Sequence, residues 1–191
     1  MRLAKRGYTE MQVDSIRVHM PSGQHVVILK DGTADRYLPI WIGIYEANAI
    51  ALKITGITPE RPITHDLMTS IFAELGARIT SVEVSSLADN VFYARIFMSV
   101  DGRNLDIDAR PSDAIALAVR AEVPILVSDD VLERAGVTPD GDQEENDAES
   151  AEATIFKELV NSMELPDLGN PEDRPDLGNP EDRPDLFSGG N

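Results

Sequence analysis

The sequence predicts an α+β fold, a mixed sheet or sheets with packed helices, and three observations carry that expectation. Strand candidates come in runs joined by short turns instead of alternating one for one with helices, which disfavours a doubly wound parallel sheet. Three strand candidates followed by a helix occur twice along the 191 residues. Residues 38–53, LPIWIGIYEANAIALK, echo residues 103–118, RNLDIDARPSDAIALA, so that AIAL at 49–52 stands 65 positions before AIAL at 114–117. Ile40 and Ile42 likewise lie over Leu105 and Ile107, and the echo suggests a duplicated strand-rich-plus-helix unit.

Each element has a local reason. Residues 11–20 have strand character, PSG at 21–23 is a turn, and QHVVILK at 24–30 is a second strand. DGTADR turns the chain into a third strand at 37–42, and Gly43 opens a corner into a helix over about 45–55. Ala47, Ala49 and Ala51 around Ile50 and Ile54 leave small or apolar residues on most of its sides, the pattern of a buried helix. Thr64 is the expected N-cap of a helix THDLMTSIFAELG, with Leu67, Ile71 and Leu75 at helical spacing and Gly76 as the stop. Strands at 78–86 and 91–100 are joined by LADN, and a short strand at 104–109 enters a second buried helix at 111–121. Pro111 suits that helix's first turn, where a missing N–H costs nothing. PILVS is a further strand, and DDVLERAG a short helix ending at Gly136.

A hydrophobic content of 42% is enough for one well-buried domain, and the domain is placed at 11–137 after an N-terminal extension at 1–10. Charge is uneven: residues 138–191 hold 16 of the 34 acidic residues and 3 of the 17 basic ones, so the net charge of −17 belongs mainly to the tail. Such a tail argues against simple electrostatic capture of nucleic acid and is suited to a basic partner. Residues 138–149 are expected as an acidic linker. Residues 150–164 are expected as an amphipathic helix with Ile155, Phe156, Leu159, Val160 and Met163 on one face. PDLGNPEDR at 166–174 recurs at 175–183, and 165–191 is expected to be disordered. The absence of cysteine removes disulfides, thiolate ligands and a cysteine nucleophile. No secretory signal or membrane-length apolar run is seen, so a cytoplasmic protein without membrane contact is expected.

Chemistry-bearing residues gather at strand-to-helix corners. Asp106 and Asp108 alternate with Leu105 and Ile107, placing both carboxylates on one strand face. Such a pair can hold Mg²⁺ or Mn²⁺, or can simply be the strand's wet side. At the next corner, Arg110 could clamp a phosphate near free backbone N–H groups, while Ser112 and Asp113 could equally cap the helix. Glu46 occupies the related corner of the first half. His65 is a candidate proton carrier, with Asp66 about 100° round the helix from it, too far for the two to grip one ion easily. His19 and His25 flank a turn and are expected in solvent.

YLPIWIGIYEANAIAL, RPITHDLM, DARPSDAIALAVR and PILVSDDVLERAG, in this order, resemble the bifunctional nuclease domain family across residues 11–137. IFKELVNSM resembles the terminal helix of actinobacterial members. The positions matching the family pattern are Glu46, His65, Asp66, Arg110, Ser112 and Asp113, with Asp108 commonly acidic and Asp106 outside it. The resemblance implies a compact, oligomer-forming domain with DNase and RNase activity. The expected roles are metal positioning by Asp108, Asp113 and Glu46, proton movement by His65, and phosphate binding by Arg110 and Ser112, with Asp66 in the same set. The alternative is a non-enzymatic oligomeric module that binds a protein or a small anion, favoured by the net acidity and the lack of a familiar nuclease motif.

Overall fold

In the computed structural model, which describes residues 5–20 and 22–138, the first half runs β1 (Tyr8–His19), β2 (Gln24–Asp31), β3 (Tyr37–Ile42), α1 (Ile44–Ile54) and α2 (Thr64–Glu74). The second runs β4 (Ala77–Ala88), β5 (Val91–Val100), β6 (Arg103–Ala109), α3 (Pro111–Ala121), β7 (Ile125–Ser128) and α4 (Asp129–Ala135). Among the described residues the strands form one mixed sheet in the order β3-β2-β1-β7-β4-β5-β6. The fold is α+β, as expected. Sequence beyond residue 138, including the acidic linker, the amphipathic helix and the repeats, lies outside the described residues.

Two antiparallel meanders, β1-β2-β3 and β4-β5-β6, are joined side by side through β7, which runs antiparallel to β1 and parallel to β4. β7 is hydrogen-bonded along both edges, to β1 and to β4, and Ile125, Leu126 and Val127 are all buried. Each meander leads into a helix, α1 or α3. The two halves share this order of elements, and duplication of one unit is not established by it. Both helices start and end 67 positions apart, so AIAL sits two residues deeper in α1 than in α3. In that 67-residue frame Ala47, Ala49 and Ile50 match Ala114, Ala116 and Leu117, all buried.

Turn chemistry sets the hairpin between β4 and β5. Asp89 and Asn90 both adopt left-handed backbone (φ 49° and 61°), and Ala88 pairs with Val91, giving a two-residue turn of the kind these residues tolerate. Gly76, at φ +67°, leads out of α2 as the stop signal required.

The structure departs from expectation in three places. Thr64 is the first residue of α2 and not its cap; Ile63 holds the cap position, its N–H donating to Asp66 Oδ2 at 3.0 Å. Leu67, Ile71 and Leu75 are 54%, 46% and 68% exposed, because α2 turns Met68 and Phe72 to the core instead. His19 and His25 are both half-buried, and His19 stands edge-on to Trp41 with ring centroids 5.9 Å apart and with Nδ1 2.8 Å from Ser22 Oγ.

The helix-side core joins Ile50, Ile115 and Leu117 to Val82, Val84, Ala94, Ile96 and Met98. Since side chains alternate along a strand, Glu83, Arg95 and Asp108, which are cross-strand partners on β4, β5 and β6, lie on the reverse face. Glu83 is buried there. Lys5 Nζ contacts both of its carboxylate oxygens at 2.6 Å and stands over the rings of Tyr8 and Phe97. Lys5→Ala should lower unfolding free energy by about 1–3 kcal/mol, since it strips the bound donor from a buried carboxylate. Urea denaturation should show part of that loss recovered by adding Glu83→Gln; no recovery would mean that the buried charge is not the cause.

Candidate functional site

Helices α1, α2 and α3 each carry an acid at their third position: Glu46, Asp66 and Asp113. A carboxylate is favoured at a helix N-terminus by the positive end of the helix dipole. Here the three acids also meet two arginines of the α3 segment, and those contacts define the site.

Arg110, at the N-cap of α3, donates from Nε to Asp113 Oδ2 at 2.8 Å and from Nη2 to Glu46 Oε1 at 2.7 Å. Nη2 also lies 2.8 Å from Asp113 Oδ2, so one nitrogen bridges carboxylates from two helices. The other oxygen of Asp113 is 3.1 Å from His65 Nε2, at the second position of α2. The result is a continuous chain from Glu46 through Arg110 and Asp113 to His65. His65 is 8% exposed in its side chain, whereas Arg110 is 67% exposed and makes no hydrogen bond through Nη1 among the described residues. Its hydrogen bonds to Glu46 and then to Asp113 raise the pKa of Arg110 above its ordinary value, so it is a permanent cation.

Asp66 joins from the side. Arg120, in the last turn of α3, is 6% exposed and donates to Asp66 Oδ1 at 2.7 Å, to the Ala116 carbonyl at 2.9 Å and to the Ala49 carbonyl of α1 at 2.9 Å. One buried guanidinium therefore ties the start of α2 and the C-terminal half of α3 to α1. Burial works against the Asp66 charge, but hydrogen bonds from Arg120 and the Ile63 N–H, with the Arg120 charge, hold its pKa below the usual carboxylate value. Asp31 behaves alike: burial opposes its charge, and hydrogen bonds from Thr33 and Arg36 outweigh that effect.

Thus Glu46, His65, Arg110 and Asp113 come together, with Asp66 beside them. Ser112 is buried in the first turn of α3. Asp113 spends its oxygens on Arg110 and His65, while Asp108 stands opposite Arg95 on the reverse face near Asp106, which ion-pairs with Arg95. Sequence reasoning missed Arg120, whose signal was only that of a basic residue in a helix's last turn. It also missed the demand on Gly43, where a Cβ would collide with Glu46 Oε2.

The carboxylates do not fit a divalent ion as arranged. Asp108 faces away, the facing oxygens of Glu46 and Asp113 already hold Arg110, and no metal-holding group of three His, Asp or Glu occurs among the described residues. What the corner does present is an outward guanidinium edge for an anion beside a carboxylate-oriented imidazole.

A family model described as "bifunctional nuclease domain" matches residues 27–140, more than half of the chain. The chain belongs to the bifunctional nuclease domain family. An uncharacterized protein of Mycobacterium tuberculosis is 42% identical over 161 residues, covering 83% of this chain and 96% of that one. Bifunctional nuclease 2 of Arabidopsis thaliana is 28% identical over 113 residues, covering 58% of this chain and 34% of that one. Bifunctional nuclease 1 of Oryza sativa subsp. indica is 25% identical over 118 residues, 59% of this chain and 35% of that one. The family's plant members named here thus share about a third of their length with this chain. No helix among the described residues is long and apolar enough to cross a membrane.

The lowered Asp66 and Asp31 values set an acid limit. Their stabilising contribution is complete above the unfolded carboxylate pKa, about 3.9, and is lost as pH falls through the lower folded values. Asp66→Asn should reduce stability at pH 7 and flatten the fall in melting temperature between about pH 4 and 2. A variant curve parallel to the wild type throughout would disprove the linkage.

Proposed function

We propose that the chain is a nuclease, hydrolysing phosphodiester bonds of DNA and/or RNA at the corner of Glu46, His65, Arg110 and Asp113. One observation carries the reading: an exposed arginine held in a fork by two carboxylates shares one of them with a histidine. In this reading Arg110 Nη1 receives a phosphate oxygen, and Nε and Nη2 stay on their carboxylates and fix its direction. Asp113, as an acceptor, holds His65 with its proton on Nε2, which leaves the Nδ1 lone pair to take a proton from water. Glu46 acts through Arg110, and Asp66 through the Arg120 tie that sets the start of α2. Family membership and the names of the plant relatives support this class of reaction. On labelled oligonucleotides, Arg110→Ala and His65→Ala should each cut cleavage by roughly 100-fold or more while melting cooperatively like the wild type. Undiminished cleavage in either would remove that residue from the chemistry.

The exposed stripe of α2 favours a second role, self-association through Leu67, Ile71 and Leu75 into a homo-oligomer. Ile71→Glu should lower the mass seen by light scattering. Association that depends on this stripe, together with intact oligonucleotide, would favour the non-enzymatic module.

A further inference from the structure

The corner assembles carboxylates from two helices and an imidazole from a third, yet its central position is filled by protein. Nη2 of Arg110 lies 2.7 Å from Glu46 Oε1 and 2.8 Å from Asp113 Oδ2, the position from which a cation would compensate both charges. We propose that Arg110 is the resident cation of this site, and that the site captures a phosphoryl anion without a divalent metal. The proposal rests on the assignment of Arg110 as the anion donor and concerns what else that step needs.

Four observations argue for it. The guanidinium is tied at Nε and Nη2 and open at Nη1, so an anion can be added without breaking either carboxylate bond. Eviction by an ion would forfeit three short contacts to a cation whose charge those same carboxylates reinforce. The hard ions concerned take about six oxygen ligands, and Mg²⁺ sheds its water reluctantly, whereas the further carboxylate expected to position a metal, Asp108, lies with Arg95 on the reverse face. Finally, Gly43 leaves room for Glu46 to fold over the start of α1, and a Cβ there would force the Glu46 carboxylate, which holds the arginine, to shift.

The test uses the full chain and two readouts. Fluorescence anisotropy with a labelled oligonucleotide should give affinities within about twofold in EDTA and in millimolar Mn²⁺, and Arg110→Ala should weaken binding in EDTA by roughly tenfold or more. Thermal shift with Mn²⁺ should be unchanged by Glu46→Gln in the wild-type background, because the Glu46 carboxylate is engaged by Arg110. In Arg110→Ala it should acquire a component that Glu46→Gln removes, as the freed carboxylates accept the ion. The proposal is overturned if oligonucleotide binding collapses in EDTA, or if wild-type protein shows a Mn²⁺ shift that Glu46→Gln abolishes. Arg110→Lys, which keeps charge but loses the fork, guards against misfolding of the alanine variant and should show intermediate affinity. Cleavage that needs Mn²⁺ through Glu46 would sink this inference and leave the nuclease reading standing. Arg110-dependent binding in EDTA without any cleavage would do the reverse.

Discussion

Arg120 reaches Asp66 of α2, the Ala49 carbonyl of α1 and the Ala116 carbonyl of its own helix, all from a buried position. A guanidinium out of water is tolerable only when its donors are matched, and these three acceptors can be matched only if the helices hold one relative placement. Small residues make that placement reachable. Ala47 and Ala49 of α1 and Ala114, Ala116 and Ala118 of α3 are buried, so the helices pack without bulky spacers and the arginine spans the gap. The middle of α3 is apolar throughout, and its charges sit at its two ends, Arg110 and Asp113 at one and Arg120 at the other. Packing and polar chemistry are thus separated along one helix.

That separation explains how much of the site was legible. The strand and helix order followed from alternation, Gly and Asp-Asn turns and Pro111, because each acts over a few residues. The clustering of Glu46, Arg110 and Asp113 was foreshadowed by their common place at strand-to-helix corners. The choice of face in α2 was not, since Leu67, Ile71 and Leu75 form one apolar row and Met68 and Phe72 another, and only the tertiary partner decides between them. The face taken by Asp108 was hidden for a related reason: alternation places it with Asp106, but which side of β6 the helices cover depends on the meander. Lys5, in a segment read only as an N-terminal extension, has its partner Glu83 78 positions away.

The sheet keeps two charge systems apart. On the reverse face Lys5 answers Glu83 and Arg95 answers Asp106, and on the helix side Arg110 and Arg120 answer Glu46, Asp113 and Asp66. Neither system carries an excess of cations, so the attraction of an anion to this protein cannot come from a broad positive field. It has to come from direction and contact.

Direction is what the two carboxylates supply. A free surface arginine samples many rotamers and loses that freedom on binding an anion. Arg110 has already lost it, because its Nε and Nη2 are fixed to Asp113 and Glu46 while Nη1 remains outward. The like-charged neighbours oppose an approaching phosphate at a distance, but at contact they hold the donor edge in place. Under the proposed function, such a site would be poor at gathering nucleic acid from solution and selective about the geometry of the phosphate it accepts. Glu46 and Asp113 therefore weaken the field and sharpen the contact at once.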